Sequence, residues 1–343
     1  MQKVGYSTLS ISLPSEWVKD VGLKQGDLIT FMPESDGSLR LMPGPLVERE
    51  VKAEEIVVNS DLCDEPRMLE RVIVGNYVLG CDTLRVVSSK RIRSEHVEEA
   101  RRISRRLIGL GIIEETPNQI VLQCSIDPAK FQIDMLMRRL SIIASTMHDE
   151  AMQALVNFDV NLAEDTIRRE EEADMIYWLA LRLLLSAHRV QIVAEKIGLE
   201  EPLQIPGNRL ILKNLETIAD CAEDIAKRVI LLRKLKISIG KEETERLSQL
   251  GELAHTTFEK AMECLFTGDI KIANSILEMK EAVDMEEERL ITELSVRPLS
   301  ASPHLRQITS CLTRIVESGA DIAAIAINRA LAKPSDLCKR IAY

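Results

Sequence analysis

A duplicated pattern of long amphipathic helices in the second half of the chain limits the fold more than any other feature. Residues 151–174, shifted by 110 positions, align without a gap on residues 261–284. The identical pairs include charged positions as well as apolar ones, such as Asp174 with Asp284. The next helix repeats at a shift of 97, so that Leu215–Ala226 align on Leu312–Ala323. Agreement at fixed offsets favours a repeated structural unit over chance.

Glycine and proline breaks divide the rest of this half into six predicted helices. These helices span residues 128–157, 160–197, 207–236, 241–266, 270–294 and 303–331. Short links between long amphipathic helices are typical of antiparallel bundles. We therefore expect a mainly α protein with two tandem three-helix bundles, one over 128–236 and one over 237–343.

The first 45 residues have a different, two-residue periodicity that is typical of strands. The letters STLSISLP predict a strand that ends at Pro14, followed by a short helix over 15–23. Residues 26–43 predict a hairpin with its turn at Asp36-Gly37. A unit this small buries little apolar surface alone, so residues 1–45 are expected to dimerise or dock.

Residues 46–127 predict a small α+β region between these two parts. The predicted helices span 66–80 and 94–110, and the predicted strands lie within 82–89 and 111–125. Residues 90–107 carry seven cationic and three acidic side chains, the most basic balance in the chain. Such a segment can contact nucleic acid, an anionic ligand or an acidic partner, or it can be a solvated helix face that pairs with nearby acids.

Composition excludes several classes of protein. The net charge is −10, from 44 Lys and Arg against 54 Asp and Glu, which argues against a uniformly basic nucleic-acid binder. Seven dispersed cysteines without a C-x-x-C pair indicate a reducing compartment, so we expect a cytoplasmic protein. No uncharged apolar run is long enough for a membrane span, and no membrane insertion is expected.

Paired carboxylates recur at helical spacing in the first predicted bundle. Glu170 and Asp174 are four residues apart on the second helix, as are Glu216, Asp220 and Asp224 on the third. Side chains at this spacing stack on one helix face. If the two faces meet, their oxygens can hold a hard cation; the alternative is an acidic, hydrated surface. The Glu-x-x-His motif on two helices, which di-iron bundles use, does not occur, and the histidines are expected to be surface or partly buried groups.

The segment Leu215–Ala226, with the acid pair on the preceding helix, resembles the PhoU family of phosphate-uptake regulators. The resemblance implies tandem three-helix bundles that bind multinuclear clusters of iron, zinc or magnesium-type ions. It implies a negative regulator of phosphate transport and signalling, and not an enzyme. The family's ligand positions correspond to Glu170, Asp174, Glu216 and Asp220, with Asp224 as a neighbouring candidate.

The second copy departs from this pattern at two positions. Lys280 and Thr313 stand where the first copy has the first acid of each helix. Three acids remain as a weaker candidate site: Asp284, Glu317 and Asp321. We therefore expect metal in the first bundle and little or none in the second.

The N-terminal segment resembles the AbrB/SpoVT swapped-hairpin family. The matching features are Leu13-Pro14, the helix with Trp17 and the run from Gly22 to Asp27. The resemblance implies a strand-exchanged homodimer that binds operator DNA. The candidate DNA contacts are Lys3, Lys19 and Arg40. Four cations against five acids in this segment keep a second interpretation open, a dimerisation module that has lost DNA binding.

Three functions remain open from the sequence. The first is a cytoplasmic regulator of phosphate uptake that contacts operator DNA, a phosphate transporter or phosphate-signalling proteins. The second is a metal-dependent phosphoester hydrolase that uses the clustered carboxylates. The third is a helical scaffold without metal, whose acids are surface charge only.

Overall fold

The computed structural model describes most of the chain as two units, Met1–Glu54 and Glu55–Tyr343. The described residues are 2–4, 8–33, 37–44, 55–201, 203–294, 302–332 and 337–339. The fold class expected from the sequence, tandem helical bundles preceded by small β and α+β parts, is confirmed.

The first unit contains two short antiparallel hairpins and one helix. Its elements are β1 (Gln2–Val4), β2 (Thr8–Ser10), α1 (Ser15–Asp20), β3 (Ile29–Pro33) and β4 (Leu39–Pro43). The predicted β3–β4 hairpin is confirmed, and Gly37 in its turn has a φ of +82°, which glycine adopts without strain. Asp36 lies outside the described residues. The predicted first strand is shorter than expected, because the chain leaves the extended pairing after Ser10.

Residues 55–124 form a four-stranded mixed sheet with two helices. The elements are β5 (Glu55–Asn59), α2 (Met68–Val78), β6 (Thr83–Val87), α3 (Ser94–Arg106), β7 (Leu110–Thr116) and β8 (Gln119–Cys124). The strand order is β5-β6-β8-β7, with β5 parallel to β6 and the other pairs antiparallel. The sequence predicted each of these elements except β5.

The basic character of α3 is largely balanced by acids of the same unit. Arg101 lies 2.7 Å from Glu115, and Arg102 pairs with the buried Glu70. These two arginines therefore fit the interpretation of the basic segment as a solvated helix face that pairs with nearby acids. Arg106, in the last turn of α3, points instead to the helical half.

The rest of the chain contains seven helices among the described residues. They are α4 (Ile133–Asn157), α5 (Val160–Arg189), α6 (Gln191–Lys196), α7 (Gln204–Lys234), α8 (Lys241–Thr267), α9 (Ile270–Leu294) and α10 (Ser302–Leu331). The predicted helix over 160–197 is wrong as one element, because Val190 has an extended backbone (φ −134°, ψ 107°) that separates α5 from α6. No glycine or proline marks that break.

The helices pack as two three-helix bundles around one continuous core. The first bundle contains α4, α5 and α7, and the second contains α8, α9 and α10. The pairs α7–α10 and α4–α8 join the two bundles, and buried apolar residues run without interruption across both. No helix in the described part of the chain is long and apolar enough to cross a membrane.

One buried arginine fixes the α+β region to the first bundle. Arg182 of α5 donates from Nη1 to the carbonyls of Tyr77 (2.7 Å) and Cys81 (2.8 Å), at the carboxyl end of α2. Its Nη2 lies 3.0 Å from Asp82 Oδ1. The carbonyl of Tyr77 also accepts from the backbone N–H of Gly80, so Arg182 adds a second, charged donor there and links the end of α2 to α5.

Candidate functional site

Acidic side chains from α5 and α7 gather on the side of the first bundle that faces α3. Glu170 and Asp174 come from α5, and Glu216 and Asp220 come from α7. All four are only partly exposed, and their charges act on one another across the two helices. The structure thus brings together the four positions that the sequence selected. Their role as metal ligands stays a prediction.

Crowding changes the protonation of these carboxyls. Burial, with the nearby charges of Asp174 and Glu223, raises the pKa of Glu170 to about 8. Burial and the charge of Glu216 raise the pKa of Asp220 to about 7, and burial also raises the pKa of Asp174. Glu170 also shares a hydrogen bond with Asp174. Burial is the largest cause of each pKa shift and the neighbouring carboxylates add to it, so the charged forms of these groups are disfavoured in the folded protein.

Glu223, and not Asp224, is the fifth member of this group, which we call the acidic cluster: Glu170, Asp174, Glu216, Asp220 and Glu223. On a helix with 3.6 residues per turn, Glu223 lies about 20° from Glu216 around the axis, whereas Asp224 lies about 80° away. Asp224 acts electrostatically on Cys311 of α10, in the other bundle. A seven-residue spacing was the sequence signal for Glu223, and the four-residue rule missed it.

Three basic side chains contact the acidic cluster. Arg106 Nη2 of α3 lies 2.9 Å from Asp174 Oδ2 and 3.5 Å from Glu170 Oε2. Lys213 pairs with Glu216, and Lys227 lies 2.6 Å from Glu223. A guanidinium from the α+β region therefore stands between the two α5 carboxylates. Sequence reasoning missed Arg106, because no local pattern links residues that are 68 positions apart.

The donor set of the acidic cluster fits a hard cation in its chemistry. Every donor is a carboxylate oxygen, the ligand that Mg²⁺, Mn²⁺ and Ca²⁺ prefer, and iron also accepts carboxylates. As the side chains stand, no three His, Cys, Asp or Glu groups in the described part of the chain are placed to hold one ion. The guanidinium of Arg106 already lies between Asp174 and Glu170, so an ion bound there would compete with it.

The candidate residues of the second bundle are arranged differently. Glu317 and Asp321 are exposed on α10, and Thr313 is buried and donates to the carbonyl of Thr309 at 3.2 Å. Asp284 belongs to α9, and its side chain lies outside the described residues. The structure does not bring Glu317 and Asp321 into a buried cluster like that of the first bundle.

The candidate DNA contacts lie on separate elements of the first unit. Lys3 is in β1, and its side chain lies outside the described residues. Lys19 on α1 and Arg40 on β4 are both exposed. These positions leave the DNA-binding prediction untested.

The histidines do not all match the sequence expectation. His148 of α4 is fully buried, with 1% of its surface exposed, so its assignment as a surface or partly buried group is wrong. Its ring stacks on that of His255 of α8, with the centroids 5.6 Å apart. His255 also forms a single Glu-x-x-His motif with Glu252 that sequence reasoning overlooked.

Two tandem three-helix bundles with an acidic cluster in the first define a class of all-helical carboxylate-bundle proteins. Residues 137–229 and 247–343 each match the PhoU domain family, and together they make up more than half of the chain. The chain belongs to the PhoU domain family. The two matched segments also agree with the internal duplication found in the sequence.

Solved structures with the same bundle fold come from two bacteria. PhoU from Pseudomonas aeruginosa aligns with a TM-score of 0.51 and 18% identity, over 57% of this chain and 93% of that chain. The phosphate transport system regulatory protein PhoU from Streptococcus pneumoniae aligns with a TM-score of 0.51 and 17% identity, over 60% of this chain and 96% of that chain. At these identities the likeness establishes the fold alone. No curated protein matches the chain.

Proposed function

We propose that the chain is a negative regulator of phosphate uptake, not an enzyme, which acts by contacting a phosphate transporter or a phosphate-signalling protein. Membership of the PhoU domain family supports this role, since one of the similar structures is described as a phosphate transport system regulatory protein. A PhoU-like pair of bundles makes up the larger part of the chain, and the α+β region is attached to it through Arg182.

The regulatory bundle, in this proposal, holds divalent metal or an iron or zinc cluster at the acidic cluster. Glu170, Asp174, Glu216 and Asp220 are the ligands, and Glu223 takes the place that the sequence gave to Asp224. The observation that carries this part is that carboxylates of α5 and α7 are gathered closely enough for their charges to act on one another, with a guanidinium already held between two of them. Burial is the larger cause of the raised pKa values of Glu170 and Asp220 and the neighbouring carboxylates add to it, and a bound cation would favour the charged form of each group.

The N-terminal unit, also as a proposal, joins two chains into a homodimer and contacts operator DNA. Its resemblance to swapped-hairpin proteins supports dimerisation. The exposed Lys19 and Arg40 supply charge for phosphate contacts. A gel-shift assay with the upstream region of a phosphate-transport operon tests the DNA part. Binding that weakens steeply with salt supports operator contact, and no binding at any ionic strength refutes it.

Metal analysis of a double variant tests the acidic cluster. Glu216→Gln with Asp220→Asn is expected to lose bound metal relative to the wild-type chain. The matched control is Glu164→Gln with Asp165→Asn, which removes two exposed acids of α5 outside the cluster. Equal metal content in the wild-type chain and the double variant would refute the ligand assignment.

Phosphate uptake in cells tests the regulatory role. Cells that lack the protein are expected to take up excess phosphate in phosphate-rich medium, and the wild-type chain is expected to restrain uptake again. Unchanged uptake after deletion argues against the proposal. Turnover of a generic phosphoester that disappears with chelator would favour the hydrolase alternative instead.

A further inference from the structure

A second group of chemistry-bearing side chains lies between the two bundles, apart from the acidic cluster. Helices α4 and α8 pack against each other there and leave an open cleft of about 450 Å³. His148 and Asp149 from α4, with Glu252 and His255 from α8, line this cleft. We call it the seam cleft.

One ring nitrogen of His148 has a lone pair that accepts no hydrogen bond from the described residues. His148 Nε2 lies 3.0 Å from the carbonyl oxygen of Gly251, and because a carbonyl only accepts, Nε2 carries the proton. A neutral imidazole then has an unprotonated Nδ1. That atom is buried and has no hydrogen-bond partner among the residues that the structure describes. An imidazole whose N–H is held by a backbone carbonyl is the usual second-sphere arrangement of a histidine metal ligand.

His255 presents a second buried ring nitrogen, which lies beside the carboxylate of Asp149. Its Nδ1 is buried and also lacks a hydrogen bond in the described part of the chain, although Asp149 Oδ1 lies 3.1 Å away. The two imidazole rings stack at 5.6 Å. The Nδ1 of His148 has neither a hydrogen bond nor an ion pair among the described residues, and a buried polar atom in that state is costly unless a ligand satisfies it. Both histidines line the seam cleft.

Two acids at the edge of the seam cleft can complete a coordination sphere. The Asp149 side chain is 53% exposed, and Glu252 is exposed one helical turn before His255. Exposed side chains can change rotamer at little cost. This freedom matters because no three His, Cys, Asp or Glu side chains of the described residues already surround one point.

We propose that the seam cleft binds a divalent transition-metal ion of the zinc class through His148, His255 and Asp149, with Glu252 as the fourth ligand. Imidazole nitrogen with carboxylate oxygen favours ions such as Zn²⁺ over Mg²⁺ or Ca²⁺, whereas the acidic cluster offers oxygen only. The two sites thus differ in the ion they select. The ligands come from α4 and α8, so a bound ion ties the first helix of each bundle to the other. This inference does not depend on the proposed function.

Zinc titration followed by calorimetry tests the seam cleft. The protein used is the full chain carrying Glu216→Gln and Asp220→Asn, which disables the acidic cluster. We expect one Zn²⁺ per chain in this background. Adding His255→Gln is expected to weaken the affinity by at least about 10-fold. The control is His188→Gln, since His188 is exposed on α5 and does not line the cleft.

Two further variants test whether a loss of zinc affinity comes from a lost ligand and not from a loss of folded structure. Asp149→Asn and Glu252→Gln change exposed side chains, so the melting temperature of the metal-free protein is expected to stay constant while zinc affinity falls. Co²⁺ in place of Zn²⁺ is expected to give the absorption of a four-coordinate ion with nitrogen ligands. The proposal is overturned if no Zn²⁺ binds in the background protein, or if His255→Gln binds it as tightly as His188→Gln does.

Discussion

Arg106 Nη2 lies 2.9 Å from Asp174 Oδ2, so a side chain of the α+β region reaches into the acidic cluster of the first bundle. The same guanidinium lies 3.5 Å from Glu170. It neutralises part of the negative charge that a metal ion would otherwise neutralise. Cation binding at the acidic cluster and the position of α3 are therefore coupled.

Removing the guanidinium is expected to strengthen cation binding. Arg106→Gln leaves Glu170 and Asp174 free to face the cation, and the loss of one positive charge within about 3 Å should raise Mn²⁺ affinity by at least about 10-fold. Calorimetric titration of chelator-treated protein measures this change. Arg105→Gln is the matched control, because Arg105 is exposed on the same helix. Equal affinities in the two variants would show that Arg106 does not compete with the cation.

Ionisation of Asp220 should lower the stability of the folded protein as the pH rises. Its pKa is about 7 in the folded protein against an ordinary value of 3.8, and Glu216, Asp174, Glu223 and Lys213 are the charged groups around it. Between these values the folded state holds the proton and the unfolded state has lost it. The stabilisation from this group is therefore complete below the ordinary pKa and is lost as the pH rises through about 7.

Urea unfolding of metal-free protein checks this sign. Asp220→Asn cannot ionise, so it should be more stable than the wild-type chain at about pH 8, by on the order of 2 kcal/mol after allowance for partial solvation. At about pH 4 the two should differ little. Glu164→Gln, an exposed acid on α5, should show no such pH-dependent gain. The assignment is contradicted if the free energy of unfolding changes by the same amount in the wild-type chain and in Asp220→Asn between about pH 5 and about pH 8.

The sequence could predict the helical half because its information is local and repeated. Duplicated positions fix the bundle order, and Glu170 with Asp174 can be placed on one face by spacing alone. The break at Val190 could not be predicted, since the residues around it continue an apolar helical pattern. Strand β5 was missed although its residues 56–58 are β-branched, because its partner β6 lies across a helix and no local signal links the two.

The members of the two polar sites were predicted only in part, for one local reason and two that depend on distant contacts. Asp224 was selected because it continues a four-residue spacing, but each such step advances about 40° beyond a full turn, and two steps carry it away from Glu216. Arg106 reaches Asp174 from another region of the chain. His148 and His255 meet only because the two bundles pack through α4 and α8.

The attachment of the α+β region should depend on the fork geometry of Arg182. Arg182→Lys keeps the charge but cannot serve both carbonyls of Tyr77 and Cys81 together with Asp82. Losing hydrogen bonds from a buried guanidinium should lower the free energy of unfolding by about 2 kcal/mol. Urea unfolding measures the loss. Arg168→Lys, on the exposed part of α5, should change stability by less than about 0.5 kcal/mol. A loss no larger than that control would refute the role of Arg182.

The crossing of α8 and α10 should not tolerate a methyl group at Gly319. A Cβ there would lie 3.1 Å from Thr257 Cγ2, and the Thr257 rotamer is held by a 2.8 Å hydrogen bond from Oγ1 to the carbonyl of Leu253. The duplicated position in the first bundle is Ala222, so a methyl group is present at the equivalent point of that bundle.

Two opposing effects decide whether Gly319→Ala raises or lowers the free energy of unfolding. Alanine improves helix propensity by about 1 kcal/mol, whereas overpacking a fixed contact costs about 1–3 kcal/mol. We expect a net loss of about 1 kcal/mol, measured by urea unfolding. Gly207→Ala is the control, because its Cβ would meet Ile325 at 3.4 Å, an ordinary contact, and the propensity gain should then appear as higher stability. If both variants are stabilised equally, Thr257 yields at no cost and the close crossing does not limit the choice of residue 319.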